Sequence, residues 1–63
     1  MFCRVVFLKR EVGPTPCAIA ARYKSGRDLS EIEEFACREA RRHGADGFRL
    51  RNLTTDEVKE LWD

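Results

Sequence analysis

The chain has few residues that interrupt regular structure, and it lacks the apolar length that a membrane span requires. Its 63 residues include four glycines, two prolines and a single histidine. No apolar run approaches the roughly 20 residues that cross a bilayer. The N-terminal apolar stretch contains Arg4 and has no small-residue cleavage site, so a signal peptide is not expected. We therefore expect a cytoplasmic protein that folds as a single small α/β domain over residues 1–63.

The cysteines and the histidine form no recognisable metal or catalytic motif. The close Cys-x-x-Cys pairs of structural zinc sites are missing. In the hairpin predicted below, Cys3 and Cys17 lie roughly 20 Å apart, which is too far for a shared metal ion or a disulfide. His43 has no evident nucleophile as a partner. We expect no metal, no cofactor and no catalytic residue. Cys3, Cys17 and Cys37 are expected to be small hydrophobic residues of the core. Cys37 flanks the apolar stripe of the predicted helix, so partial exposure is expected for it.

Alternation of apolar and polar residues predicts three strands. The first covers Phe2–Arg10 and is apolar on one face and mixed on the other, which favours a central position in the sheet. Residues Glu11–Pro16 contain Gly and Pro and predict a turn. The second strand covers Cys17–Lys24 and the third covers Gly47–Leu53.

A helix is predicted between the second and third strands. Ser30 and Glu33 form a potential capping box, and Asp28 with Glu31 is an alternative frame. Apolar residues recur at helical spacing, with acids in the first turns and bases in the last. Gly44 is placed to end the helix in the left-handed conformation.

A second, shorter helix is predicted at the C-terminal end. Thr54 and Glu57 form its potential capping box, and its apolar stripe consists of Val58, Leu61 and Trp62. The element order ββαβα then predicts an α+β fold. We expect a two-layer sandwich in which a three-stranded antiparallel sheet, of order 2-1-3, carries two helices on one face.

Charge is distributed unevenly even though the net charge is only +1. Residues 1–27 contain six basic residues and one acidic residue, whereas the predicted helices contain most of the acids. If the apolar side of each strand faces the helices, basic side chains gather on the uncovered side of the sheet, the open face. The predicted binding residues on this face are Arg4, Arg10, Arg22, Lys24, Arg49 and Arg51, with Phe2, Val6 and Leu8 among them.

Arginines around an apolar patch favour an anionic partner. We expect a small non-enzymatic binding or regulatory module that docks this face on an acidic protein surface or a nucleoprotein complex. Nucleic acid is an alternative, because arginines contact phosphates and exposed rings stack on bases. The near-neutral net charge makes it less favoured than protein. A self-associating homodimer and a merely solvated face also remain open.

In its size and its lack of an active-site motif, the chain resembles small accessory proteins of phages and mobile elements. Some of these proteins act as inhibitors by docking on a host complex. The resemblance implies a non-enzymatic docking role and adds no site residue to those named above.

Overall fold

The computed structural model describes residues 1–10 and 15–62, and within them one helix packs on a four-stranded antiparallel sheet. The elements are β1 (Phe2–Lys9), β2 (Cys17–Ser25), α1 (Leu29–His43), β3 (Gly47–Asn52) and β4 (Val58–Trp62). The sheet order is β2-β1-β3-β4. The α+β class and the central position of β1 are confirmed, and β4 extends the sheet beyond β3. The turn predicted over residues 11–16 falls largely on residues 11–14, which lie outside the described residues.

The helix begins and ends at residues that satisfy its terminal backbone groups. Asp28 is the N-cap, and its carboxylate accepts a hydrogen bond of 3.0 Å from the Glu31 backbone N–H. The Asp28 frame is therefore the one used, and the Ser30 frame is not. Gly44 ends the helix with φ 69°, the left-handed conformation that glycine adopts without steric cost.

The core lies between α1 and one face of the sheet. Alternate residues of β1 point toward the helix, and their side chains are almost fully buried. Burying a large apolar side chain contributes about 1.5–3 kcal/mol, so this layer supplies most of the stability of the fold. Its buried members are Cys3, Val5 and Phe7 of β1, Ile32, Ala36 and Ala40 of α1, and Phe48 and Leu50 of β3.

The predicted C-terminal helix is wrong, because residues Val58–Trp62 form strand β4. The Asn52 side chain accepts hydrogen bonds from the backbone N–H groups of Thr54 and Thr55, at 2.9 and 3.3 Å. These bonds hold a turn that returns the chain alongside β3. A helix of about nine residues is unstable in isolation. Pairing with β3 instead satisfies the backbone groups along an otherwise open strand edge.

The predicted orientation of β2 is also wrong. In the register of the sheet, Val5 lies opposite Arg22 and Cys3 lies opposite Lys24. Residues that pair directly across an antiparallel ladder share a face, so Arg22 and Lys24 lie on the helix side and not on the open face. The Lys24 ammonium lies 5.1 Å from the centroid of the Phe35 ring of α1. Since β2 is an edge strand, long basic side chains can reach solvent from the helix side.

The expectation of a buried thiol is confirmed for Cys3 and wrong for Cys17, and Cys37, which was expected to be partly exposed, is exposed. Cys3 is 1% exposed in the core, whereas Cys17 and Cys37 are exposed. Cys17 is the first residue of an edge strand, and Cys37 follows the buried Ala36 out of the apolar stripe of the helix. Burial raises the pKa of the Cys3 thiol, because the thiolate form is poorly solvated there.

Candidate binding face of the sheet

The side of the sheet turned away from α1 is the open face, and the strand registers determine its members. Even-numbered residues of β1 point to this side, and the residues paired with them across the ladders point the same way. The larger side chains of the face are therefore Phe2, Arg4, Val6 and Leu8 from β1, Tyr23 from β2, Arg49 and Arg51 from β3, and Val58, Glu60 and Trp62 from β4.

A basic depression lies at the centre of the open face. It has a volume of about 130 Å³ and is lined by Arg4, Val6, Arg49 and Arg51. Arg4 lies directly opposite Arg51, and Val6 lies opposite Arg49. Like charges placed opposite each other across a ladder destabilise the sheet. Carboxylates of the chain or a bound anion would therefore stabilise the sheet by reducing the repulsion between these arginines.

Two of the three central arginines have carboxylate partners within the chain. The Arg49 guanidinium pairs with Glu60 at 3.0 Å, and that of Arg51 pairs with Asp56 at 3.5 Å. The pKa of Glu60 is lowered by a hydrogen bond of 2.7 Å from the Trp62 indole N–H and by the bond from Arg49. Exposed pairs of this kind contribute about 0–1 kcal/mol. Their main effect is to reduce the positive charge over β3.

Arg4 differs from the other two central arginines. Among the described residues, no carboxylate lies within salt-bridge distance of its guanidinium group. Beside it, the Phe2 and Tyr23 rings stack with centroids 5.8 Å apart and an interplanar angle of 15°. Phe2 is 44% exposed and Tyr23 is 62% exposed. One end of the open face thus combines a guanidinium that no described carboxylate pairs with and a solvent-facing aromatic pair. We call this end the Arg4 corner (Phe2, Arg4 and Tyr23).

The opposite end of the open face is closed by side chains of the chain itself. Leu8, Gly47 and Trp62 lie in one row across β1, β3 and β4. The Trp62 ring lies over Gly47, where a Cβ atom would come within 2.7 Å of ring atom Cε3. The Arg10 guanidinium lies 4.8 Å from the centroid of the same ring. Leu8 is only 4% exposed in this row, so its predicted role as a contact residue is not supported by its burial.

The predicted site is therefore brought together only in part. Phe2, Arg4, Val6, Arg49 and Arg51 share the open face, and Arg10 joins it through Trp62. The prediction missed Tyr23, Trp62, and the two carboxylates that pair with the arginines of β3. The period-two alternation of residues 58–62, Val-Lys-Glu-Leu-Trp, was the signal that could have placed Glu60 and Trp62 there.

Metal sites, membrane-spanning helices and comparisons with known proteins add no further assignment of function. Across residues 1–10 and 15–62, no three His, Cys, Asp or Glu side chains come together in a way that could hold a metal ion. The described part of the chain also contains no helix long and apolar enough to cross a membrane. Compared with family models, curated proteins and solved structures, the chain matches none.

Proposed function

We propose that the protein is a small non-enzymatic binding module that docks the open face of its sheet on an acidic protein surface. The observation that carries the proposal is the Arg4 corner, where a guanidinium that forms no salt bridge with any described residue lies beside two exposed, stacked rings. Arginine and aromatic residues are enriched among the contacts that dominate binding energy. A regulatory role of the phage-inhibitor type, exerted by occupying the surface of a larger complex, is consistent with this mode of docking.

The charge pattern of the face favours a protein over a nucleic acid. Asp56 and Glu60 place carboxylates beside Arg51 and Arg49, and the net charge of the whole chain is +1. A polyphosphate backbone would meet repulsion from these carboxylates along much of the face. A protein partner can place a single carboxylate against Arg4 and an apolar side chain against the rings of the Arg4 corner.

Single-stranded nucleic acid is the second candidate, and one observation favours it. Tyr23 is the most exposed ring on the open face, and its stacking on Phe2 holds an aromatic surface ready for a base. Stacking of a base on an aromatic side chain contributes about 1–3 kcal/mol. Arg4 lies close enough along the sheet to contact an adjoining phosphate.

The experiment is an NMR titration of isotope-labelled protein with poly-L-glutamate and, separately, with oligothymidylate of equal charge. We expect poly-L-glutamate to shift the amide signals of Phe2, Arg4 and Tyr23 and to leave the signals of α1 unchanged. Tighter binding of oligothymidylate at the same residues would reassign the face to nucleic acid. Absence of binding to both probes, or shifts centred on α1, would overturn the proposal.

A further inference from the structure

The outer edge of β2 is a second surface, distinct from the open face. β2 lies at one end of the sheet order, so no described strand pairs with one of its two sides. The ladder to β1 contains a bulge, because Phe7 pairs with Ala20 while Leu8 pairs with Ala18. Beyond the bulge, residues 20–25 continue in regular register with β1. This length is sufficient for another strand to pair with it.

The hydrogen bonds at the end of the ladder identify the backbone groups that point outward. The Gly26 N–H donates to the Met1 carbonyl, and the Met1 amino group donates to the Gly26 carbonyl, both at 2.9 Å. Hydrogen-bonded and non-bonded pairs alternate in an antiparallel ladder. The Lys24 and Arg22 backbones therefore face β1, whereas those of Ala21, Tyr23 and Ser25 face the open edge.

One contact confirms this assignment and shows what occupies part of the edge. The Arg22 guanidinium Nη1 donates to the Ala21 carbonyl at 2.8 Å. That carbonyl is one of the outward groups, and the guanidinium serves as a substitute donor for it. A strand that approaches the edge can replace this single contact with a backbone hydrogen bond and leave Arg22 available for a carboxylate.

The charges on β2 indicate what kind of strand would fit. The strand contains Arg22 and Lys24 and no acidic residue. Among the described residues neither cation forms a salt bridge, whereas Lys59 of the opposite edge strand β4 is paired with Glu33 at 2.5 Å. The β2 edge is thus positively charged and its cations form no salt bridge with a described residue, whereas the cation of the β4 edge does. A second copy of β2 offers no carboxylate to either cation.

We infer that the partner contributes an extended acidic segment that adds to the outer edge of β2 as a fifth strand. This inference rests on the proposed function, because it assumes an acidic protein partner. Carboxylates on one face of the added strand meet Arg22 and Lys24 on the helix side. Apolar side chains on its other face lie beside Tyr23 on the open face, next to the Arg4 corner. Main-chain hydrogen bonds to Ala21 and Tyr23 provide the part of the affinity that does not depend on the side chains of the added strand.

The test is selection of binders from a random peptide library displayed on phage, followed by binding measurements on variants. We expect selected peptides to alternate acidic and apolar residues.

Ala21→Pro removes an outward N–H without breaking the ladder to β1, and we expect it to weaken binding about tenfold or more. Ala21→Val keeps the N–H and is the matched control, with affinity close to that of the original chain. Arg22→Glu combined with Lys24→Glu is expected to weaken binding as Ala21→Pro does.

Hydrogen exchange of the unaltered protein provides a readout that does not depend on the folding of the proline variant. We expect bound peptide to protect the amides of Ala21 and Tyr23. Unprotected amides, peptides without acidic residues, or assembly of the protein through β2 of a second copy would overturn the inference. If Arg4→Glu abolishes peptide binding while Ala21→Pro leaves it intact, the edge inference fails and the proposed function stands. If both variants bind normally, both fail.

Discussion

At the scale of single residues, Gly47 illustrates how one missing side chain shapes an end of the open face. A Cβ atom at this position would lie 2.5 Å from the Leu61 carbonyl oxygen and 2.7 Å from the Trp62 ring. Glycine therefore allows the ring to cross the sheet. The same crossing closes the end of the face that contains Leu8, and so leaves the Arg4 corner as the accessible end.

We expect Gly47→Ala to destabilise the fold by about 1–3 kcal/mol, because the added methyl group displaces β4 and the Trp62 ring. Trp62 is the only tryptophan in the chain, so thermal unfolding can be followed together with its fluorescence. The control is Gly44→Ala, where a Cβ atom meets nothing within 4 Å and the cost comes from the positive φ. The control should leave the fluorescence unchanged. An unchanged spectrum and stability for Gly47→Ala would contradict the packing described here.

The three thiols should differ in reactivity according to their burial. Cys17 and Cys37 are exposed, whereas Cys3 is buried and its pKa is raised by that burial. A thiol reagent reacts with the thiolate, so Cys3 is both inaccessible and less ionised. We expect mass spectrometry to show rapid modification of Cys17 and Cys37, and modification of Cys3 only after unfolding. Equal rates for Cys3 and Cys37 would show that the core is not closed.

At the scale of elements, α1 was predictable and β4 was not. The helix has its cap, its apolar stripe and its terminating glycine within one continuous segment, so local signals agree. The C-terminal segment contains a plausible capping box at Thr54, but its structure is decided by Asn52 and by the open edge of β3. That edge exists only once the sheet has formed. The local sequence pattern therefore contains no information about pairing with this edge.

The error in β2 has a related cause. Cys17, Ile19, Ala21 and Tyr23 alternate as an apolar set, which favoured a core-facing side for them. The pairing with β1 reverses this orientation for Ala21 and Tyr23, and Ala20 packs partly against the core instead. At an edge strand the helix covers each side chain less, so hydrophobicity is a weaker guide to orientation than register. The residues of β1 and β3 that were predicted for the open face therefore lie on it, whereas Arg22 and Lys24, predicted for it on β2, lie on the helix side, and the residues of β4 were not predicted.

Proline substitutions distinguish a strand from a helix at residues 58–62. The bond from the Asn52 N–H to the Glu57 carbonyl, at 2.9 Å, makes this a bonded pair, so Lys59 faces β3 and Val58 faces outward. We expect Lys59→Pro to lower the free energy of unfolding by about 1–3 kcal/mol through lost pairing. Val58→Pro should cost much less.

Lys59→Ala serves as the control for this pair of variants, because it removes the salt bridge to Glu33 without removing the N–H group. Chemical denaturation of each variant provides the comparison. Equal destabilisation by the two proline variants would indicate a helix and contradict β4.

At the scale of the whole molecule, the two halves of the sheet differ in how their cations are compensated. On β3 and β4, Arg49, Arg51 and Lys59 each pair with a carboxylate. On β1 and β2, Arg4 and Arg22 form no salt bridge with any described residue. These cations without a salt bridge therefore lie in one half of the sheet, with Arg4 on the open face and Arg22 on the helix side.

The hydrogen bonds that carboxylates accept within the chain also predict how the stability of the fold depends on pH. The pKa of Glu31 is lowered chiefly by a hydrogen bond from the Arg27 backbone N–H, and that of Glu60 by the Trp62 indole. A carboxylate with a lowered pKa in the folded state stabilises the fold above its unfolded pKa of about 4.3. This stabilisation is lost as the pH falls through the folded pKa.

We therefore expect the free energy of unfolding to decrease between about pH 5 and pH 3. Combining Glu31→Gln with Glu60→Gln should flatten this decrease. Denaturation curves at several pH values measure it, and an equally steep decrease in the double variant would show that other groups are responsible.

The affinity of poly-L-glutamate, measured by calorimetry for the original chain and two charge reversals, tests the binding proposal most directly. Arg4→Glu and Arg38→Glu change the net charge equally, but Arg38 lies exposed on α1, where it pairs with Glu34. We expect Arg38→Glu to bind almost as the original chain does and Arg4→Glu to bind about tenfold more weakly or worse. Equal weakening by the two substitutions would mean that only net charge matters, and would contradict a binding site on the open face.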